Sequence, residues 1–168
     1  VVAEGRPAVV VVSAIGETTD ELIGLAEDVT PHPEPRELDM LTATGEQTSA
    51  ALMAITLTAL GSPALSLTGG QAGIVAAAVP GRAHIRSVHP ERIRRELARG
   101  KTVVVAGFQG ITEQDAAADL TTLGRGGSDA SAAALAVALR AECDIYTDVA
   151  GVYTADPSIV PTAKLLRR

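Results

Sequence analysis

The chain has 168 residues, a formal net charge of −6, one Phe, two Tyr, no Trp and the single cysteine Cys143. That length fits one domain with a proper, largely aliphatic core. The negative balance and the scarcity of aromatics speak against nonspecific nucleic-acid binding and base-stacking platforms. One cysteine excludes an intrachain disulfide, and no apolar run is long enough to span a bilayer.

Residues 8–14 contain four consecutive valines, which predicts a strand buried on both faces of a parallel sheet. Gly16 ends it, and Thr18 with Glu21 resembles a capping box for a helix continued by Leu22, Leu25, Ala26 and Val29. Pro31, Pro33 and Pro35 predict an exposed loop. Residues 37–60 read as helix, with a break at Thr44-Gly45 and a stop at Gly61. A short strand follows at 64–67, then the glycine turn at 68–73. Residues 83–88 are a further strand candidate, 90–99 a helix with Pro90 in its first turn, and 102–107 the second buried strand. A polar loop runs through Asp119, a helix is expected over 129–141, and Asp144-Ile145-Tyr146-Thr147-Asp148 reads as a third strand, with Cys143 a small buried residue ahead of it. Strands alternating with helices imply a layered α/β domain, a three-layer αβα sandwich with a mainly parallel sheet. In such sheets ligands collect beyond the carboxyl ends of strands. Ser13, Gly69-Gly70, residues 107–110 and Thr147-Asp148 all fall at such ends.

The most informative stretch is Thr121-Thr122-Leu123-Gly124-Arg125-Gly126-Gly127-Ser128-Asp129, which runs into an alanine-rich segment. Glycines allow a tight bend and close approach of a ligand, and Ser128 or Asp129 is placed to open a helix. Unpaired N–H groups in a first helical turn make an anion cradle, to which Arg125 adds a fixed charge. The common phosphate-loop, dinucleotide and protein-kinase patterns are absent. His32, His84 and His89 are scattered and read as loop or surface residues, without zinc spacing.

Several segments together resemble the amino-acid kinase family, and within it the aspartate kinases. They are residues 10–20, Arg36-Glu37-Leu38-Asp39-Met40-Leu41, Thr44-Gly45-Glu46-Gln47, residues 67–74, Val105-Ala106-Gly107-Phe108-Gln109-Gly110, residues 122–129, Tyr146-Thr147-Asp148-Val149 and residues 151–157. The resemblance covers essentially the whole chain and implies phosphorylation of the β-carboxylate of L-aspartate by MgATP. It implies that Arg125 holds the α-carboxylate of the substrate and Glu46 its ammonium group. Ser13 and Thr19 would border the aspartate and phosphoryl site, with Ser128 and Asp129 at the junction of substrate and phosphates. Thr147, Asp148 and Tyr153 would contact the nucleoside of ATP. ATP and Mg²⁺ are the implied cofactors, with self-association through catalytic domains and a cytoplasmic setting. No nucleic-acid or membrane partner is expected.

The family's opening Lys-Phe/Tyr-Gly-Gly-Thr-Ser motif is not in this sequence, Ser158 stands where an Arg is frequent, and Ala150 where Asp is frequent. The expectation is therefore a single partial kinase domain over 1–168, truncated at both ends and without an ACT regulatory domain. Two alternatives stay open: a related carboxylate or carbamate kinase, and a noncatalytic binding or dimerisation module derived from a kinase. Taken singly, Glu46 has the ordinary fate of a solvated helix residue. By the same standard Arg125 is a weak surface ion pair, Ser13 a local backbone partner, and Gly126-Gly127 a plain turn. The basic stretch Arg92, Arg94, Arg95 and Arg99 reads as a solvated face interleaved with Glu91 and Glu96.

Overall fold

The two valine-rich runs form neighbouring strands of one parallel sheet. A computed structural model describes residues 8–77, 79–113, 118–124, 126–147, 151, 153–155 and 159–166. Strand β1 (Val9–Val12) is followed by helices α1 (Thr18–Val29), α2 (Pro35–Thr42) and α3 (Thr44–Ala59), then by β2 (Ala64–Leu67). Strands β3 (Ile74–Ala76) and β4 (Ile85–Val88) precede α4 (Glu91–Ala98) and the second valine strand, β5 (Thr102–Ala106). The chain continues through β6 (Gln109–Ile111), β7 (Leu120–Thr122) and α5 (Gly127–Leu139).

The parallel sheet has the order β1-β5-β2, with Val10 opposite Val104 and Leu65 opposite Val103. β5 is buried along its whole length, as a central strand covered on both faces must be. On one face Val104 and Ala106 pack with Ala50 and Ala54 of α3. On the other, Val103 and Val105 pack with Leu67, Ile74, Ile93 of α4 and Leu135 of α5. Helices therefore cover both faces of the parallel sheet, and the layered α/β class expected from the sequence is the one observed. No helix of the described residues is long and apolar enough to cross a membrane.

A second sheet, β4-β3-β6-β7, differs from the expectation. The polar stretch after Gly107, read as a loop, contains the hairpin β6–β7, with Gln109 opposite Thr122 and Gly110 opposite Thr121. Strands of three residues carry no periodicity to read, and here backbone pairing with β3 and packing decide the conformation. The expected strand at 144–148 does not form: residues 144–147 are irregular and exposed, and Asp148 lies outside the described residues. Cys143, expected to be buried, is exposed. The Thr18–Glu21 box is also not made. Glu17 occupies the N-cap without a side-chain bond, and the Thr18 hydroxyl donates to the Ile15 carbonyl at 2.6 Å.

Candidate functional site

The carboxyl end of the parallel sheet meets the start of α5, and glycines make the meeting possible. Gly107 follows β5 and donates its N–H to the Val12 carbonyl at 3.0 Å. A Cβ on Gly107 would lie 2.8 Å from Ser128 Oγ and 2.9 Å from Ser128 Cα. Gly127 is pressed in the same way against Phe108, whose backbone takes the rare left-handed φ of 64°. Gly126, at φ 73°, caps α5, so the helix starts at Gly127, two or three residues earlier than with Ser128 or Asp129 as its cap, and both residues lie inside its first turn.

Between this helix start, the end of β1 and the middle of α3 lies a cavity of about 540 Å³. Ser13, Ser49, Ser128, Asp129, Asp144 and Tyr146 contribute its polar lining. It has the position predicted for ligands of open parallel sheets, and the start of α5 brings the Ser128 hydroxyl and the Asp129 carboxylate into its lining.

Glu46 is not in that lining, but it is tied to the same end of β1. α3 begins immediately after α2, and Gly45 lets it close on the end of β1: a Cβ there would stand 2.9 Å from the Ala14 Cβ. Glu46 Oε1 accepts the Ala14 N–H at 3.2 Å, one residue beyond Ser13. Its Oε2 is buried and has no hydrogen-bond partner among the described residues. The side chain is only 3% exposed, so the solvated-helix reading does not hold. Burial raises its pKa above the usual carboxylate value, opposed by the backbone N–H groups of Glu46 and Ala14. A buried carboxylate oxygen with open lone pairs is costly unless something donates to it, and a cationic N–H donor answers both its charge and its hydrogen-bonding capacity.

Two further buried polar residues hold the frame, and sequence reasoning did not select either for the site. Asp39 of α2 is 3% exposed. Its carboxylate accepts the Gly81 N–H at 3.0 and 3.1 Å, the Thr122 N–H at 3.0 Å, and the hydroxyls of Thr121 at 3.0 Å and Thr122 at 2.7 Å. Gln109 of β6 is fully buried and bonds both the α2–α3 junction and Gln47. The run Arg36 to Leu41 was legible as a segment, but nothing in it marks Asp39 as a buried acceptor for a hairpin about eighty residues away.

Of the residues expected at the site, Ser13, Ser128 and Asp129 line one cavity and Glu46 adjoins it. Thr19 lies in the first turn of α1, half-buried, and is not part of the lining. Thr147 follows the lining residue Tyr146 but does not itself line the cavity, and Tyr153 pairs with Leu165 in an isolated bridge. Arg125 and Asp148 lie outside the described residues. In the basic stretch Arg94, Arg95 and Arg99 are exposed, as a solvated face should be, but the interleaved Glu96 is not. Glu96 is 4% exposed and collects Arg99 at 2.8 Å, Lys101 at 3.1 Å and Arg95 at 3.4 Å.

The sequence profile of the amino acid kinase family matches residues 1–168. An aspartokinase of Geobacillus stearothermophilus is 55% identical over 167 residues, which are 99% of this chain and 40% of that relative. The aspartate kinase of Synechocystis has a solved structure that superposes with a TM-score of 0.71 at 49% identity, over 98% of this chain and 26% of the other. Escherichia coli aspartokinase III, solved in complex with aspartate and ADP, gives a TM-score of 0.67 at 32% identity over 89% of this chain and 34% of the other. The chain thus spans well under half the length of the relatives it matches.

Proposed function

The chain belongs to the amino acid kinase family, and from that premise we propose that it forms the aspartate-binding part of an aspartate kinase. In this reading a β-carboxylate oxygen of L-aspartate attacks the γ-phosphorus of ATP. A P–O bond forms, the bond from the γ-phosphorus to the β,γ-bridging oxygen breaks, and ADP leaves with the electron pair. A carboxyl group with a pKa of about 4 is already ionised at neutral pH, so no general base is required. The work of the site is to bring two anions together and hold them in line.

The single observation that carries this reading is the unpartnered, buried Oε2 of Glu46 beside a cavity at the sheet's carboxyl end. It matches the ammonium group of an amino acid, which a carbamate substrate lacks. Ser13 borders the bound aspartate, and Thr19, which is outside the cavity lining, is assigned to the same site by the family resemblance alone. Ser128 and Asp129 meet it where the phosphates arrive, and the first-turn N–H groups of α5 supply fixed positive potential there. Arg125 takes the α-carboxylate through its two-pronged guanidinium. Thr147, Asp148 and Tyr153 take the nucleoside. No three His, Cys, Asp or Glu side chains converge among the described residues. In this reading Mg²⁺ would arrive on the ATP phosphates and neutralise their charge, and Asp129 and Asp144 are the carboxylates that line the cavity. Self-association and a cytoplasmic setting belong to the same proposal.

The test traps the product. The intact protein, incubated with MgATP, L-aspartate and hydroxylamine, is expected to yield β-aspartyl hydroxamate in proportion to enzyme. Hydroxamate from another carboxylate, with none from aspartate, moves the reading to a related carboxylate kinase. No ATP-dependent product from any such acceptor leaves a binding module.

A further inference from the structure

Gln109 has a place in the fold that nothing in the reaction assigns to it. It is fully buried at the start of β6. Its Nε2 donates to the Ala43 carbonyl at 2.9 Å, and its Oε1 accepts from Gln47 Nε2 at 3.1 Å. Ala43 is the single residue between α2 and α3, and Gln47 directly follows Glu46. The two bonds therefore grip the first turn of α3 on either side of Glu46. The backbone that presents Gln109 is itself held: a Cβ on Gly69 would stand 1.9 Å from the Gln109 carbonyl oxygen, so the 68–73 turn backs the strand without slack. Two residues upstream, Gly107 is seated against Ser128. One short segment of backbone thus touches both the Glu46 side and the Ser128 side of the cavity.

We propose that Gln109 is a positioning residue for the site, fixing the Glu46 carboxylate against Ala14 at the end of β1 and setting its distance from the Ser128–Asp129 turn. This rests on the reading that Glu46 receives the ammonium group of the substrate. The bond to Ala43 is buried and the one to Gln47 partly buried. Without the Gln109 amide the Ala43 carbonyl keeps only the long bond from the Gln47 backbone N–H at 3.3 Å, the Gln47 side-chain amide loses its acceptor, and the helix start shifts to find partners. Gln109 touches no reacting atom in this account, and its effect passes through Glu46.

The experiment uses Gln109→Met in the intact protein, which keeps the volume and removes both bonds. Its KM for aspartate is expected to rise about tenfold or more while kcat and the KM for ATP stay within about threefold. Independently of turnover, exchange of the Ala14 amide, which is bonded to Glu46, is expected to quicken about tenfold while the Val104 amide is unchanged. Should Gln109→Met not fold, Gln47→Leu removes one of the two bonds and is expected to move both readings the same way by less. Glu96→Gln, remote on α4, serves as the comparison: it lowers stability and leaves the aspartate KM and Ala14 exchange where they were. The proposal is overturned if the variants leave Ala14 exchange and aspartate KM at wild-type values, or if Ala14 and Val104 exchange rise together. Should the intact protein phosphorylate no aspartate at all, the kinase reading falls, and Ala14 exchange alone decides the positioning role.

Discussion

Replacing Glu46 by Gln isolates the charge of the site with almost no change in shape. The amide oxygen can still accept the Ala14 N–H, now 3.2 Å from Glu46 Oε1, so the anchor at the end of β1 survives. What disappears is the buried anionic oxygen that has no partner. A hydrogen bond to a charged group contributes about 1.5–3 kcal/mol, and at 1.36 kcal/mol per factor of ten its loss weakens aspartate binding roughly 10- to 150-fold. Calorimetric titration of wild type and variant with L-aspartate measures this, and ADP titration of the same samples should differ by less than about twofold because Glu46 is assigned no nucleotide contact. Stability carries a second signature. The folded-state pKa of Glu46 lies above its unfolded value because of burial, so the native state holds its proton more tightly. Wild-type stability relative to the variant is therefore greatest below the ordinary Glu value, falls as pH rises through the raised value, and is flat above it. Aspartate affinity runs the other way, improving as Glu46 ionises. An unchanged aspartate affinity in Glu46→Gln, or an equal loss for ADP, refutes the assignment.

Asp39→Ala leaves the N–H groups of Gly81 and Thr122 and the hydroxyls of Thr121 and Thr122 without their carboxylate acceptor, at about 1–3 kcal/mol for each donor that finds no other. Urea unfolding should show a loss of about 2–4 kcal/mol, and a loss below about 1 kcal/mol contradicts the clamp. Gly107→Ala pushes a methyl group to 2.9 Å from Ser128 Cα, so kcat/KM should fall about tenfold or more through a displaced helix start; wild-type kinetics would show that the contact relaxes harmlessly. Arg125→Ala should cost about tenfold or more in aspartate affinity, as expected for loss of a paired guanidinium–carboxylate contact, with wild-type affinity removing Arg125 from the site.

Much of this was legible before any coordinates. The runs 8–14 and 102–107 announce buried parallel strands because β-branched residues without polar alternation have no solvent face to offer. Gly126 and Gly127 announce a bend into a helix. Glu46 was visible only through the family resemblance, since a Glu in a helix is ordinarily solvated. What buries it is Gly45, whose missing Cβ lets α3 reach Ala14, and that is a contact across thirty-one positions. The hairpin β6–β7 was missed because three-residue strands show no period, and Gly110 is a poor strand former that pairing forces into line. Asp39 and Gln109 were missed for a related reason: their partners lie about sixty to eighty residues away, and no local pattern distinguishes a buried polar clamp from a surface polar residue. The strand expected at 144–148 failed in the opposite direction over residues 144–147, the part that is described. Ile145 and Tyr146 between polar residues are a local strand signal, yet residues 144–147 are exposed and belong to no strand.

The central claim is that the pocket where β1, α3 and α5 meet receives an amino acid whose ammonium group completes Glu46. A crystal structure of the intact protein grown with L-aspartate and ADP tests it directly. The account predicts the ammonium nitrogen within hydrogen-bonding distance of Glu46 Oε2 and the β-carboxylate turned toward Ser128. Aspartate bound elsewhere, or bound in the pocket with Glu46 Oε2 still lacking a donor, contradicts it.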